Sequence, residues 1–145
     1  MTTREKAIEY LDIFRNCKFS DFHRPFGTDC GMGFVLILLY SNEKENTAKE
    51  ISEKMDVSMA RVTSLMQKME ERGLVKRTPS QKDGRVNYIS LTEKGNIEAQ
   101  KAMEFSISIA TKIIEELGTD EIDHFIKTFE RIKNVLEKEE KLHSN

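Results

Sequence analysis

The chain has 145 residues, a net charge of −2 and a hydrophobic fraction of 38%, which is an ordinary globular composition and excludes the disordered and fibrous classes. Its longest apolar run, from Phe34 to Tyr40, covers seven residues, far fewer than the about 20 that a membrane-spanning helix needs. The charged N-terminus has no signal-peptide core after it, so we expect a cytoplasmic protein without a membrane partner.

The N-terminal part of the chain is predicted to contain two helices. From Thr3 to Asn16 the apolar residues fall largely on one helical face, which requires a partner surface. The following segment is rich in aromatic residues and turn formers, and Pro25 disfavours helix at the preceding residue, so we interpret it as a loop up to Gly33. Gly33 to Ser41 is apolar all round and rich in leucine, which favours a short buried helix.

The next two elements are predicted to be a pair of short helices. Thr47 and Glu50 have the spacing of a capping box at the start of the first helix. Ser58 is placed to cap the second helix, which runs to about Arg72 and ends before Gly73. Two short helices joined by a few residues are the outline of a helix-turn-helix.

A hairpin is predicted directly after this pair of helices. Leu74 to Thr78 and Val86 to Leu91 are strand-like segments on either side of Asp83-Gly84, a dipeptide that is common in hairpin turns. Two helices followed by a hairpin predict a winged helix-turn-helix.

Two long helices are predicted at the C-terminal end. Thr92 can cap one that runs to about Leu117 and ends at Gly118, and Thr119 starts another that continues towards Leu142. Apolar residues of the last helix recur every three or four positions, so they form a continuous stripe that needs a partner.

The second helix of the pair has a face that suits the major groove of DNA. Positions 58 to 88 carry seven basic and three acidic residues although the whole chain is slightly acidic, which is the pattern of a local electrostatic footprint. The outward face of this helix is small and hydrogen-bonding, as base reading requires. An ordinary solvated face is the alternative interpretation. The predicted DNA contacts on the helix are Ser58, Ala60, Arg61, Thr63, Ser64, Gln67 and Lys68.

From Thr47 to Gly95 the sequence resembles the MarR family of bacterial transcriptional regulators. The resemblance depends on the helix pair, the EERGLVKR junction, the Asp83-x-Arg85 sequence of the hairpin, and LTEKG at its end. It implies a homodimer whose terminal helices intertwine while two recognition helices enter successive major grooves of a pseudo-palindromic operator. The regulator would be more often a repressor than an activator.

The resemblance also implies roles for the hairpin, which would be the wing. Arg85 would reach into the flanking minor groove, where A·T-rich DNA has an enhanced negative potential. Lys82 would contact DNA without sequence preference. Asp83 would hold a nearby arginine, and Gly84 would supply the turn conformation. The alternative is a plain exposed turn with no contact to DNA.

The predicted fold is therefore mainly α with a small β-hairpin wing. Residues 33–95 would form a winged helix-turn-helix DNA-binding domain, and residues 1–32 and 96–145 a helical dimerisation region. Three amphipathic helices at the two ends of the chain exceed what a small winged-helix lobe can cover, which favours a dimer. The alternative is a monomer in which these helices pack only on one another.

Regulation is predicted less specifically. Relatives of this type commonly release DNA when a small aromatic or phenolic ligand fills a cleft, and the candidate cleft residues are Phe14, Phe22, His23 and Phe26. Ordinary packing of these side chains is the alternative. Cys17 and Cys30 are candidate redox residues, although cysteine is often only a small buried hydrophobe. No ligand spacing recommends a metal site, and no cofactor is expected.

The sequence thus predicts a dimeric, sequence-specific DNA-binding regulator that responds to a small ligand or another signal. One rival hypothesis is a winged helix that contacts only proteins. An enzyme is a second rival, but the sequence contains no nucleophile elbow, phosphate loop, HExxH or CxxC motif, so we predict that the protein is not an enzyme.

Overall fold

A computed structural model describes residues 1–16, 30–42 and 46–144 of the chain. Within these ranges no helix is long and apolar enough to cross a membrane. The elements, in chain order, are α1 (Thr3–Asn16), α2 (Cys30–Ser41), β1 (Asn46–Thr47), α3 (Ala48–Met55), α4 (Met59–Glu71), β2 (Val75–Pro79), β3 (Asn87–Leu91), α5 (Glu93–Leu117) and α6 (Thr119–His143).

The described residues pack into two apolar clusters. The first lies between α2, α3, α4 and the sheet, and its fully buried side chains include Val35, Ile51 and Met66. The second lies where α1 meets α5 and the beginning of α6, around Ala7 and Ile107. Helix α5 contributes to both clusters, so it connects the helix-turn-helix to the terminal helices.

Most of the predicted elements are confirmed. Helix α1 has the predicted bounds, and α5 begins after the Thr92 cap and ends before Gly118 as expected. The two strands of the wing pair in antiparallel register from Val75 opposite Leu91 to Pro79 opposite Asn87. The predicted fold class, mainly α with a small β wing, is therefore confirmed.

The predicted loop before α2 ends too late. Helix α2 begins at Cys30 and not at Gly33, because its first turn is part of the apolar core. Met32 is 6% exposed within the first cluster, and a methyl group built on Gly31 would lie 3.4 Å from Leu65 Cδ2 of α4. The prediction was wrong for residues 30–32, whereas the remainder of that loop, residues 17–29, lies outside the described residues.

Strand β1 was not predicted. Asn46 pairs with Ile89 and Thr47 with Tyr88, which makes a three-stranded sheet in the order β1-β3-β2. Asn46 is buried, and its side-chain oxygen accepts a hydrogen bond from Asn42 Nδ2 at 3.0 Å. A two-residue strand is too short to produce an alternating pattern, so the local sequence contains no period-two signal for it.

Helix α6 begins at Thr119, as predicted. Its cap residue is Gly118, with φ 77° and no side-chain cap hydrogen bond. Tyr10 of α1 instead anchors this turn, because its hydroxyl donates to Asp123 Oδ1 at 2.7 Å and approaches the Thr119 carbonyl at 3.3 Å. Burial, reinforced by the hydrogen bond to Asp123, raises the pKa of Tyr10 well above its ordinary value.

Candidate nucleic-acid interface

The helix pair is built by side-chain caps at both of its starting points. The Thr47 hydroxyl accepts from the Glu50 N–H at 3.2 Å, and the Glu50 carboxylate accepts from the Thr47 N–H at 3.1 Å, so the predicted capping box is present. Asp56 closes α3 in the left-handed conformation, with φ 55°. Ser58 Oγ then accepts from the Arg61 N–H at 3.2 Å and starts α4.

Burial fixes the rotation of α4 about its own axis. Val62, Met66 and Met69 are at most 1% exposed and face the first apolar cluster. The opposite side is therefore turned to solvent. All seven predicted helix contacts are exposed: Ser58, Ala60, Arg61, Thr63, Ser64, Gln67 and Lys68.

Two hydrogen bonds organise side chains on the exposed side of α4. The Thr63 hydroxyl donates to the Met59 carbonyl at 2.9 Å, so its hydrogen is already used within the helix. Gln67 Nε2 donates to Glu71 Oε1 at 3.3 Å. These bonds restrict what each side chain can offer to a ligand.

The tip of the wing is ordered by hydrogen bonds of its own residues. Ser80 Oγ accepts from the N–H groups of Lys82 and Asp83, at 3.2 and 3.4 Å. The Ser80 N–H donates to the Val86 carbonyl at 2.8 Å, and the Val86 N–H donates to the Asp83 carbonyl at 3.0 Å. Lys82 and Arg85 are both exposed at this ordered tip.

Asp83 contacts the main chain of Arg85. Its Oδ1 accepts from the Arg85 N–H at 3.0 Å, and within the described residues it forms no ion pair with an arginine side chain. The resemblance implied that Asp83 holds a nearby arginine, and the observed contact holds the backbone of Arg85 and not a guanidinium.

Gly84 lies in the same turn, but it does not use the conformational freedom expected of it. Among the described glycines only Gly73 and Gly118 have left-handed φ angles, 68° and 77°. A methyl group built at position 84 would meet no atom of the described residues within 4 Å. The turn therefore follows from the hydrogen bonds of Ser80 and Asp83, and the special role expected for Gly84 is corrected.

Four basic side chains of α4 and the wing tip are predicted DNA contacts, and their charges are available for a ligand. Within the parts of the chain that the structure describes, Arg61, Lys68, Lys82 and Arg85 form no ion pair. Arg77, by contrast, is paired with Glu70 and so ties β2 to α4. Free cations next to an exposed polar helix face are what phosphate contacts require.

The LTEKG sequence fixes the wing relative to α4. The Thr92 hydroxyl donates to the Gly73 carbonyl at 2.5 Å and accepts from the Gly95 N–H at 3.0 Å. Lys94 Nζ donates to the Arg72 carbonyl at 2.9 Å, at the C-terminal end of α4. These contacts were not predicted from the sequence, in which only the cap residue Thr92 indicated part of this junction.

Gly95 allows this junction to close. A methyl group built on it would lie 1.9 Å from the carbonyl oxygen of Leu74, a distance that no side chain tolerates. The helix and the strand can approach this closely only because position 95 has no side chain.

An apolar cleft of about 760 Å³ lies beside the second cluster, between α1, α2, α5 and α6. Phe14, one of the predicted cleft residues, lines it, and its ring centroid is 6.4 Å from that of Phe125. Glu121 and His124 also line the cleft and were not predicted. Within the described ranges no three side chains of His, Cys, Asp or Glu are grouped as metal ligands.

Several predicted regulatory residues stay predictions. Phe22, His23, Phe26 and Cys17 lie outside the described residues. Cys30 is the first residue of α2, and the structure describes nothing of its side chain.

An apolar helix face remains uncovered on α5 and α6. Only Ile122 and Ile126 of α6 are buried, although this helix has 25 residues. We call the following exposed side chains the apolar helix face: Phe105, Ile113, Leu117, Phe125, Ile132, Val135, Leu136 and Leu142.

Comparisons with known proteins agree with this architecture. MdtR, an HTH-type transcriptional repressor of Bacillus subtilis (strain 168), is 29% identical over 108 residues, which are 73% of this chain and 70% of MdtR. A mutant of ZitR from Lactococcus lactis is 30% identical with a TM-score of 0.52, over 74% of this chain and 73% of that chain. The MepR–DNA complex of S. aureus has a TM-score of 0.67 at 19% identity, over 72% of this chain and 77% of MepR.

A family model also matches the part of the chain that carries the candidate contacts. The matched family is described as the MarR family, and the match covers residues 34–86. These residues include the helix pair and the tip of the wing. From this match and the likeness to MdtR together, the chain belongs to the MarR family of winged helix-turn-helix transcriptional regulators.

Proposed function

We propose that this protein is a dimeric transcriptional repressor that binds a pseudo-palindromic DNA operator. The observation that carries the proposal is that exposed polar side chains of α4 and exposed cations of the wing tip belong to two elements that the Arg77–Glu70 pair joins. MdtR is described as a repressor and MepR was solved with DNA, which supports the same role here.

The contacts on α4 follow from the rotation of that helix. Its exposed row enters the major groove, where Ala60 and Ser64 permit a close approach and Gln67 can reach base edges. Arg61 and Lys68 lie beside this row and contact phosphates, while Ser58 and Thr63 complete the surface. The exposed positions of all these side chains support this assignment.

The wing contributes the second set of contacts. Lys82 contacts the phosphate backbone, and Arg85 enters the minor groove beside the major-groove site. Asp83 would be repelled by DNA, but its carboxylate is directed to the Arg85 N–H. It thereby holds the main chain that carries the minor-groove arginine.

The uncovered apolar helix face favours a dimer over a monomer. Apolar side chains of α6 from Ile132 to Leu142 remain more than half exposed in a single chain, so packing of these helices on one another leaves them in water. A second copy would cover this face in an isologous interface. Residues 1–32 and 96–145 would then form the dimerisation region, and residues 33–95 the DNA-binding domain.

The apolar cleft is the proposed effector site. It lies between α1 and α5, beside the helix that also belongs to the DNA-binding domain, and its lining is mainly apolar. A small aromatic ligand suits such a lining. Phe14 would contact it, together with Phe22, His23 and Phe26 of the neighbouring segment.

A gel-shift titration tests DNA binding directly. Duplex DNA from the region upstream of the protein's own gene is titrated with the purified full chain at about 50 and about 200 mM salt. We expect a discrete complex whose affinity falls at least about tenfold between these concentrations, because neutralised phosphates release counterions.

Two outcomes would contradict the proposal. If the protein binds none of this DNA at the lower salt concentration, the surface of α4 and the wing serves a protein partner and not DNA. If binding occurs but does not weaken as salt increases, the cations of the wing and of α4 do not contact phosphates.

A further inference from the structure

The outward row of α4 contains one long hydrogen-bonding side chain near its middle. Ala60, Ser64, Gln67 and Glu71 follow one another at helical spacing and are all exposed. The first two have small side chains, so the helix can lie close to a groove floor. Gln67 is then the first residue of the row that is long enough to reach a base edge with an amide.

The contact with Glu71 determines how this amide is oriented. Gln67 Nε2 lies 3.3 Å from Glu71 Oε1. An ionised carboxylate only accepts hydrogen bonds, so the amide nitrogen of Gln67, and not its oxygen, must face Glu71. One N–H of the amide is used in this contact. The carbonyl oxygen and the second N–H remain for another partner.

An acceptor beside a donor is complementary to adenine in the major groove. Adenine presents its N6 amino group as a donor and N7 as an acceptor, whereas guanine presents two acceptors there. We propose, on the basis of the proposed DNA-binding function, that Gln67 reads one adenine in each half-site and that Glu71 is the positioning residue that orients its amide.

Glu71 should also affect the affinity for DNA of any sequence. Its carboxylate lies on the row that faces DNA, so it repels phosphates and lowers the affinity for every sequence. Removing it should therefore increase the affinity for random DNA while relaxing the preference for adenine. A residue that served only the stability of α4 would not move these two quantities in opposite directions.

Two substitutions separate the charge from the orienting contact. Glu71→Gln removes the charge but keeps an oxygen that can accept from Gln67, whereas Glu71→Ala removes both. We expect both variants to bind random-sequence DNA more tightly than the wild type. Only Glu71→Ala should lose the preference for adenine.

The measurement starts from an operator that the wild-type full chain selects from a random duplex pool. Each adenine of the selected half-site is then replaced singly by 7-deazaadenine, which lacks the N7 acceptor, and affinities are measured by fluorescence anisotropy. At one adenine per half-site we expect a loss of roughly fivefold or more for the wild type and for Glu71→Gln. The loss should be absent for Gln67→Ala and less than about twofold for Glu71→Ala.

Lys68→Ala is the matched control on the same helix. It should weaken binding to all duplexes by the same factor, because a phosphate contact carries no base information. Melting temperatures of the variants should match that of the wild type, since each altered side chain is exposed.

The inference is overturned if no 7-deazaadenine weakens wild-type binding, or if the loss persists in Gln67→Ala. It is equally overturned if Glu71→Gln relaxes the adenine preference as much as Glu71→Ala does. A wild-type protein that enriches no sequence from the pool would overturn DNA binding itself, and this inference with it.

Discussion

At the scale of single residues, the wing tip places a charged side chain through its main chain, without an ion pair to any residue that the structure describes. Arg85 is exposed, and its position is set by its main chain, whose N–H donates to Asp83. Lys82 is placed similarly by Ser80. The charges of Lys82 and Arg85 therefore remain available for a ligand, while the turn beneath them is held by hydrogen bonds.

Substitutions at these cations should have different effects on binding. Arg85→Ala is expected to weaken operator binding by about 1 to 3 kcal/mol and to relax the preference for flanking A·T pairs. Lys82→Ala should weaken binding to all sequences equally and lower the salt slope by about one. Gel shifts with operators of altered flanks, at several salt concentrations, measure both effects.

Lys112→Ala is the control for these variants, since Lys112 is exposed on α5 away from the wing. Its affinity should equal that of the wild type. If Arg85→Ala and Lys82→Ala also bind like the wild type, the wing does not contact DNA.

A side chain at position 95 should destabilise the fold. Gly95→Ala should lower the free energy of unfolding by about 1 to 3 kcal/mol, because the added methyl group would collide with the Leu74 carbonyl and force α5 away from β2. Urea denaturation measures this change.

Gly33→Ala, in α2, is the matched comparison for Gly95→Ala in α5. Among the described residues, a methyl group at position 33 meets no atom within 4 Å, so the higher helix propensity of alanine should leave stability unchanged or raise it by up to about 1 kcal/mol. If Gly95→Ala and Gly33→Ala had equal free energies of unfolding, a side chain at position 95 would not disturb the close approach to the Leu74 carbonyl.

At the scale of elements, the sequence predicted those with a local chemical signal. The Thr47, Ser58 and Thr92 caps are side-chain contacts within three residues, so the beginnings of α3, α4 and α5 could be derived from neighbours in sequence. The apolar spacing of α4 likewise predicted which side chains face outward. These two signals account for most of the candidate site.

Elements that depend on distant contacts were missed or misplaced. The first turn of α2 packs against Leu65, and strand β1 pairs with β3. The beginning of α6 was predicted correctly, but not the hydrogen bond from Tyr10 of α1 that anchors it. None of these contacts leaves a pattern in the local sequence. The bond between Gln67 and Glu71 is local, but its consequence appears only when the rotation of α4 is known.

The hydrogen bond from Tyr10 to Asp123 joins α1 to α6 and should contribute to stability. Tyr10→Phe should lower the free energy of unfolding by about 1 kcal/mol near neutral pH, because the hydrogen bond to Asp123 is lost from a buried site. Urea denaturation of both proteins measures the difference.

The same difference should depend on pH with a definite sign. The pKa of Tyr10 is raised in the folded state, so its contribution is complete below the ordinary tyrosine pKa of about 10. Above that pH the unfolded chain loses the proton while the folded chain retains it, and the wild type loses its advantage over Tyr10→Phe. An advantage that is constant up to about pH 11 would contradict this account.

At the scale of the whole molecule, the uncovered apolar helix face determines the proposed assembly. Val135 and Leu136 are each 59% exposed, and they lie beyond the last buried residue of α6, Ile126. The described surface of one chain therefore ends in exposed apolar side chains, and we propose that a second chain covers them.

A charged substitution on this face should separate the subunits. Leu136→Glu is expected to change the molar mass in light scattering from twice the chain mass of 16.8 kDa to a single chain mass. Operator affinity should fall with it, because the two half-sites would be bound independently. Asn134→Glu, an exposed polar position of the same helix, should remain a dimer. A dimeric Leu136→Glu protein would place the interface elsewhere.

Helix α5 extends unbroken from one apolar cluster to the other, so a small tilt at one end becomes a large displacement at the other. Its 25 residues span about 37 Å. A tilt of about 10° at the cleft end would displace the wing end by about 6 Å, which is close to two base-pair steps of about 3.4 Å each. If α4 binds a groove as proposed, such a displacement would take it out of register, and α5 would convert a small change beside Phe14 into the loss of a whole half-site.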